Sequence, residues 1–211
     1  MELALDTGRK NQIRVHSEWI GHPIAGDRKY GAQTNPLGRL GLHAQGLAFI
    51  HPWTGKTMKF TSPLLLDDLD ILSTPISYVN FDIKITDGKP HKIRLACFAS
   101  EKLCYAGEMA PEMRLDFFKT GDLSIGYMGK KQQAPLNGAG DSLTIDWGYL
   151  LFASETGKVV DGTGGANKIL RWTRTDKTPW SSTLFMGYDD IASINYFGRL
   201  LPAYYARNGK T

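Results

Sequence analysis

Beyond Phe60 the chain consists largely of short runs in which apolar residues recur at every second position. Two such runs span residues 79–85 and 93–97, and residues 86–89 (TDGK) between them are typical of a turn. A strand with one buried face needs this period of two, so the pair predicts a β-hairpin. Residues 115–127 predict a second hairpin around the turn at 120–122, and residues 47–50 and 58–60 predict a pair of strands. Further strand-like runs lie at 143–151 and 184–188. Several short strands with hardly any helical periodicity predict a mainly β fold, an antiparallel β-sandwich.

The first part of the chain has a different character, with a high density of hydrogen-bond donors. Residues 7–16 (TGRKNQIRVH) hold two arginines, a glutamine and a histidine, a composition that suits an anionic partner. Asn11 is a predicted side-chain cap for a helix that runs to Gly21. Arg9 then lies in the loop before the helix, and Arg14 lies in its first turn.

Residues 7–16 and several segments after them resemble the carboxyl-terminal part of the catalytic domain of RluA-type pseudouridine synthases. These enzymes convert uridine to pseudouridine in ribosomal or transfer RNA. Asn11 departs from the pattern, since many members have His there. The resemblance implies that residues 1–62 are a small α+β fragment of that domain. The similar segments are 21–24 (GHPI), 26–31 (GDRKYG), 39–44 (RLGLHA), 47–52 (LAFIHP) and 54–55 (TG).

The resemblance implies an isomerase that uses an Asp nucleophile in an earlier HRLD-type motif and a Tyr from a second motif that stacks on the base. Neither motif precedes Thr7, because the sequence begins at Met1. Arg14 matches the cation that pairs with the nucleophile, a role that suits a guanidinium. A buried, unpaired Arg14 would cost about 3–5 kcal/mol, so we expect it to be exposed or paired with another group.

Contacts to RNA are the remaining role that the resemblance implies for this fragment. The candidates are Arg9, Gln12, Lys29 and Tyr30, together with Arg14 at the former active site. An ordinary solvated helix start is the alternative interpretation of Arg9 and Arg14. In that family the reaction needs no cofactor, and we expect no metal.

The charge distribution agrees with an RNA partner for the first part of the chain. Residues 1–62 hold 8 Lys or Arg against 4 Asp or Glu, whereas residues 63–211 hold 17 of each. The net charge of +4 therefore comes entirely from the fragment that resembles the RNA enzyme. Positive charge attracts phosphates, although a field of this size is modest.

Residues 60–211 resemble the amino-terminal β-sandwich region of the glutaminase A family, which precedes a large helical toroid there. We therefore divide the chain into residues 1–62 and a sandwich region at residues 63–211, a composite of two partial regions. The stretch 158–181 fits this resemblance poorly, so its strand order stays open. The similar segments are 60–65 (FTSPLL), 67–73 (DDLDILS), 75–78 (PISY), 86–91 (TDGKPH), 145–149 (IDWGY), 187–190 (GYDD) and 196–198 (YFG).

Other candidate sites carry weaker signals. Neighbouring carboxylates could serve a hydrolase or bind calcium, but adjacent side chains on a strand point to opposite faces. The spacing of the first four His residues matches no compact zinc pattern. Trp147 is a predicted core residue, while Trp172 and Trp180 beside basic residues indicate either a nucleic-acid platform or a basic loop. The groups concerned are Asp67, Asp68, Asp70, Asp189 and Asp190, and His16, His22, His43 and His51.

The sequence also bears on the cellular setting. It contains no run of eighteen apolar residues, and its start lacks the pattern of a signal peptide, so we expect a cytoplasmic protein without a membrane span. Cys97 and Cys104 are expected to be reduced and packed. The oligomeric state stays open. We expect a pseudouridine synthase-like protein, inactive by itself, or alternatively a non-catalytic module of a glutaminase A-like amidohydrolase.

Overall fold

The computed structural model describes residues 11–36, 40–42, 46–50, 57–62, 67–137, 146–165 and 167–209. The chain divides into two compact units, Met1–Ala44 and Gln45–Thr211. Strands make up most of the regular structure, which confirms the predicted mainly β fold. In the first unit the elements are α1 (Gln12–Trp19) and a 3₁₀ helix (Arg28–Tyr30).

Helix α1 begins where the sequence predicts, but the residue before it does not form the predicted cap. Asn11 adopts a left-handed conformation, φ 58°, and its side chain caps no backbone N–H of the helix, so the predicted side-chain cap is wrong. Asn tolerates this conformation better than most residues. Its amide oxygen instead accepts a 3.3 Å hydrogen bond from Nη1 of Arg14. At the other end Gly21, with φ 78°, stops the helix.

The second unit contains the strands and one further helix. One short helix is α2 (Leu69–Ser73), whose amino end is capped by Asp68 through a 3.0 Å bond from the N–H of Ile71. The strands are β1 (Gly46–Ile50), β2 (Thr57–Thr61), β3 (Ile76–Ile83), β4 (Lys92–Ser100), β5 (Met113–Thr120), β6 (Leu123–Lys130), β7 (Tyr149–Ser154), β8 (Lys158–Asp161), β9 (Ile169–Lys177), β10 (Trp180–Asp189), β11 (Ile194–Tyr196) and β12 (Arg199–Leu201). A short 3₁₀ segment at Glu101–Leu103 lies between β4 and β5. Another, Tyr204–Gly209, follows β12, and Arg207 and Asn208 within it depart from helical geometry.

Two packed sheets form the sandwich that the alternating runs predict. The larger has seven strands in the order β1-β2-β3-β10-β7-β6-β5, and the smaller has the order β4-β9-β8. β11 and β12 form a separate hairpin. All strand pairs among the described residues are antiparallel. The strand order left open for residues 158–181 is therefore β8 beside β9, with β9 central in the smaller sheet.

The predicted hairpin of residues 79–97 is wrong, although both of its strands exist. β3 pairs with β2 and β10 in the larger sheet, whereas β4 pairs with β9 in the smaller one. The connection crosses from one sheet to the other, and its end is tied to the start of β10 by two bonds between His91 and Thr178 of 2.8 and 2.9 Å. Both strands bury their apolar faces in the same core from opposite sides.

The predicted β5–β6 hairpin is confirmed, and so is the pairing of β1 with β2. Thr120 lies opposite Leu123, which leaves a two-residue turn at Gly121 and Asp122. The predicted run at 143–151 is confirmed only from Tyr149 onward. Trp147 lies in a bend before β7, and Leu143 and Ile145 lie outside the described residues.

The core lies between the two sheets. Trp172 on β9 is fully buried and stacks on Phe81 of β3, with ring centroids 4.9 Å apart. Cys104 is also buried, and both cysteines are free thiols as expected. The buried cluster comprises Val79, Phe81, Ala99, Cys104, Met128, Leu150, Phe152, Val159, Leu170, Trp172 and Leu184.

An ion pair connects the carboxyl-terminal segment of the second unit to α2. Arg207 donates from Nη1 and Nη2 to the two carboxylate oxygens of Asp70, at 2.5 and 2.9 Å. This two-pronged pair holds the Tyr204–Gly209 segment beside α2. Across the described residues, no helix has the length and apolar character needed to cross a bilayer.

Candidate functional site

The first unit places Arg14 in a two-pronged ion pair with Asp27. Nε and Nη2 of Arg14 donate to Oδ2 and Oδ1 of Asp27 at 2.7 and 2.8 Å. The Asp27 side chain is 1% exposed, while that of Arg14 is 24% exposed. The expectation that Arg14 is exposed or paired anew is confirmed, because it lies at the surface of the unit and has a carboxylate partner.

Backbone hydrogen bonds position Asp27 for this contact. Its N–H donates to the carbonyl of Ile24 at 2.9 Å, and its own carbonyl accepts from Tyr30 and Ala32 at 3.0 and 3.1 Å. The turn that results delivers the carboxylate to the first turn of α1. The hydrogen bonds from Arg14 lower the pKa of Asp27, and the same bonds raise the pKa of Arg14.

Tyr30 completes this cluster, which we call the Arg14 cluster and define as Arg14, Asp27, Lys29 and Tyr30. The Arg14 guanidinium carbon lies 4.7 Å from the centroid of the Tyr30 ring, and the Lys29 ammonium lies 6.0 Å from it. Both cations thus lie within the usual range for attraction to an aromatic face. Lys29 is exposed, whereas Tyr30 is half-buried.

The other two candidate RNA contacts are Gln12, which the structure describes, and Arg9, which it does not. Gln12 is half-buried in the first turn of α1. Arg9 lies outside the described residues, as do His43 and His51. The structure therefore brings Arg14, Lys29 and Tyr30 together, and the roles assigned to them remain proposals.

Asp27 is the residue that reasoning from the sequence missed. It lies in the GDRKYG segment, and it is the sole acidic residue between Glu18 and Asp67. Any carboxylate for Arg14 from that part of the chain had to be this one. Its position in the turn was nevertheless not evident from the pattern of residues.

A second cluster of Arg, Asp and Tyr was also missed, on β5 and β6. Residues 113–116 read MRLD, which share three letters with the HRLD-type motif. Asp116 accepts hydrogen bonds from Nε of Arg114 at 2.5 Å and from the Tyr127 hydroxyl at 2.9 Å. Its side chain is 46% exposed on the edge strand of the larger sheet. These contacts describe a solvated surface network on a sheet edge.

Four of the five acidic candidates have structural partners. Asp190 accepts a 2.6 Å hydrogen bond from the Ser193 hydroxyl. Asp68 caps α2, Asp70 pairs with Arg207, and Asp189 accepts from the Tyr205 hydroxyl at 3.2 Å. Within the described ranges, no group of three or more His, Cys, Asp or Glu side chains has an arrangement that could hold a metal ion.

The interpretations of Trp172 and Trp180 as a nucleic-acid platform or part of a basic loop are wrong. Both rings are buried, with exposures of 0% and 7%, and both residues lie in strands. Arg174 covers Trp180, with its guanidinium carbon 4.7 Å from the ring centroid. Trp147 is buried as predicted.

Comparison with protein families identifies the second unit. The sequence model of a domain of unknown function, DUF5127, matches residues 55–175, more than half of the chain. The chain belongs to the DUF5127 family. The matched segment runs from the second strand of the larger sheet to β9, so the DUF5127 region includes strands of both sheets. No solved structure matches the chain.

The curated relatives belong to another group, the RNA pseudouridine synthases. The chain is 49% identical over 65 residues to an uncharacterized RNA pseudouridine synthase, YjbO, of Bacillus subtilis (strain 168), which covers 31% of the chain and 23% of that protein. It is 40% identical over 85 residues to ribosomal large subunit pseudouridine synthase D of Neisseria meningitidis serogroup A, with shares of 35% and 23%.

A third relative gives the same picture. Identity to ribosomal large subunit pseudouridine synthase C of Pasteurella multocida is 51% over 65 residues, 28% of the chain and 20% of that protein. The chain thus spans about a quarter or less of the length of these curated relatives. About a third of a DUF5127 chain is therefore similar to part of an RNA-modifying enzyme.

Proposed function

We propose that residues 1–62 are an RNA-binding remnant of an RluA-type pseudouridine synthase and that this chain alone does not isomerise uridine. Residues 63–211 are, in this proposal, a non-catalytic sandwich joined to it. The observation that carries the proposal is the Arg14–Asp27 pair. The guanidinium that the resemblance assigns to a catalytic Asp is already held by another carboxylate at 2.7 and 2.8 Å.

The chemistry explains why this pair argues against turnover. A guanidinium carries five N–H donors. Asp27 occupies the two-pronged edge formed by Nε and Nη2, and Nη1 donates to Asn11 at 3.3 Å. A second carboxylate at the same place would have to displace Asp27 or share the remaining N–H groups. Asp27 is held by its turn and its side chain is 1% exposed, so in this proposal it serves to hold Arg14.

RNA contact is the part of the family function that the remaining residues support. Lys29 is exposed beside the Tyr30 ring, and Arg9 and Gln12 are the further candidates. An exposed cation next to an aromatic ring suits a phosphate and its base. All of the net positive charge of the chain lies in residues 1–62.

Catalysis is tested by tritium release from RNA that carries 5-tritiated uridine. We expect no release above the background without enzyme, while a complete pseudouridine synthase on the same RNA serves as the positive control. Release by the purified chain would contradict the proposal. In that case the Asp116→Asn and Asp27→Asn variants would identify which carboxylate is responsible.

RNA binding is tested by fluorescence anisotropy with a labelled single-stranded RNA across a salt series. Each phosphate contact contributes a slope of about −0.7 in log K against log salt. Lys29→Ala is expected to weaken binding and to reduce the slope by about that amount. Lys119→Ala removes an exposed lysine of the second unit and is expected to change nothing. Equal effects of the two variants would contradict a contact at Lys29.

A non-catalytic module of a glutaminase A-like amidohydrolase is the second candidate, favoured by the two-sheet sandwich of the second unit. It predicts no RNA binding at any salt concentration. Absence of binding at low salt would therefore favour this candidate over the first.

A further inference from the structure

A cavity of about 680 Å³ lies against the face of the larger sheet that points away from the core. Side chains alternate between the two faces along each strand, so the residues between the core positions point to this outer face. In the larger sheet the outer face is apolar as well. Its floor consists of residues on three neighbouring strands: Ile125, Leu151, Ala153 and Phe185.

Residues after β10 also line the cavity, among them Ile191 and Tyr205. The Arg207–Asp70 ion pair holds the segment that carries Tyr205 beside α2. The volume lies within the range of about 300–1,000 Å³ that is usual for small-molecule sites. The result is a groove with an apolar floor that is lined in part by the Tyr204–Gly209 segment.

A polar pocket of about 410 Å³ adjoins the groove. Glu155 and Phe185 line both spaces, so they mark the boundary between apolar and polar surroundings. Among the described residues, no Lys, Arg or His lines either space. The polar pocket is lined in addition by Asn80, Asp82, Ser181, Ser182 and Thr183.

The carboxylates along this groove differ in their partners. Asp189, at the far end, accepts from the Tyr205 hydroxyl at 3.2 Å and from the N–H of Ile191 at 2.9 Å. Asp82 pairs with Lys84 at 3.2 Å. Glu155 has neither a hydrogen bond nor an ion pair with any residue that the structure describes. An exposed carboxylate without a partner among the described residues therefore lines both the apolar groove and the polar pocket.

We propose that this groove binds an elongated apolar molecule that carries one ammonium group. The apolar body covers Leu151 and Ala153, and the ammonium group contacts the carboxylate of Glu155. Burial of the body removes apolar surface of both ligand and sheet from water, which favours binding. The negative lining selects a cationic head group and disfavours an anionic one. This site is in the second unit and is independent of the proposed RNA contact.

The test uses three probes that share one alkyl chain, decylammonium, decanol and decanoate, measured by isothermal titration calorimetry with the full chain. Concentrations stay below those at which micelles form. Decylammonium is expected to bind about fivefold more tightly than decanol, the effect of about one partly exposed charge pair, and decanoate more weakly than decanol. Equal affinities, or a preference for decanoate, would overturn the proposal.

Variants locate the site. Glu155→Gln is expected to bring the affinity for decylammonium to that for decanol, while Glu108→Gln, an exposed carboxylate outside both spaces, leaves it unchanged. Ala153→Phe fills the groove and is expected to abolish binding of all three probes, with the native circular dichroism spectrum retained. Binding that survives Ala153→Phe would place the ligand elsewhere and refute the site.

The same variant separates a ligand from a second copy of the chain. If the groove is an interface between copies, sedimentation shows a concentration-dependent dimer that Ala153→Phe dissociates, and the proposal is wrong. A monomer that binds decylammonium in the order given above supports it.

Discussion

Arg14 illustrates how far a single side chain can be predicted. Its need for a partner followed from the cost of burying a lone charge, and the structure meets that need. The identity of the partner did not follow, because Asp27 reaches Arg14 only through a turn held by bonds to Ile24, Tyr30 and Ala32. Such a turn depends on backbone geometry that residue types alone do not specify.

The Arg14–Asp27 pair should make α1 sensitive to acid. The pKa of Asp27 is lowered below its ordinary value of 3.8 in the folded chain, so the pair stabilises α1 fully above that value. The stabilisation is lost as the pH falls through the lowered, folded pKa. Hydrogen exchange of the α1 amides should therefore differ between the wild type and Asp27→Asn at pH 5 to 7, and the difference should disappear at lower pH.

Arg14→Lys is the matched variant for this experiment. It keeps the charge but removes the planar fork, so it should show a smaller acid-dependent loss than the wild type. A difference between wild type and Asp27→Asn that persists unchanged at the lowest pH would mean that ionisation of Asp27 is not the cause.

The positions of the strands were easier to predict than the pairing between them. The alternating runs located β3, β4, β5, β6 and β10, because alternation depends on neighbouring residues. Pairing depends on contacts between distant parts of the chain, and there the expected β3–β4 hairpin failed. The turn signal at residues 86–89 was compatible with a hairpin and equally with a crossing between two sheets.

The β8–β9 region offers a test of the packing between elements. Gly157 precedes β8 and lies against the indole of Trp172 so closely that a Cβ atom would overlap Nε1. Gly157→Ala should lower the free energy of unfolding by about 1–3 kcal/mol, the usual cost of overpacking. Gly164→Ala is the matched control, because nothing lies within 4 Å of the added atom, and its effect should stay within about 0.5 kcal/mol.

Urea denaturation followed by circular dichroism measures both glycine variants. Equal stabilities of Gly157→Ala and Gly164→Ala would show that the indole moves aside at little cost, contrary to the tight contact described for Trp172.

For the chain as a whole, the pattern of apolar residues predicted the class of fold but not how its strands assemble. The mainly β class followed from the spacing of apolar residues, and the uneven charge separated residues 1–62 from the rest. The compact units divide at Ala44 and Gln45, within the segment that resembles the RNA enzyme. The boundary at residue 62 was drawn from sequence similarity, which does not report strand pairing. Through their backbone hydrogen bonds β1 and β2 join the larger sheet next to β3.

The two sheets should lose their structure together, because their buried side chains form one core. Trp172 of the smaller sheet is fully buried against Phe81 of the larger sheet. Trp172→Ala should lower the free energy of unfolding of the second unit by about 3–5 kcal/mol. Hydrogen exchange should show faster opening of β3 and β9 alike. Faster exchange in β9 alone would mean that the sheets open separately.

The tryptophans differ in exposure, so their fluorescence can distinguish parts of the chain. The indole N–H groups of Trp147, Trp172 and Trp180 are buried and lack a hydrogen-bond partner among the described residues, whereas the Trp19 side chain in α1 is 84% exposed. An indole away from water emits at shorter wavelength than a hydrated one. Among the described tryptophans, Trp19 therefore contributes to the red edge of the native fluorescence and reports on the first unit. The three buried indoles contribute to the blue edge and report on the interior of the second unit.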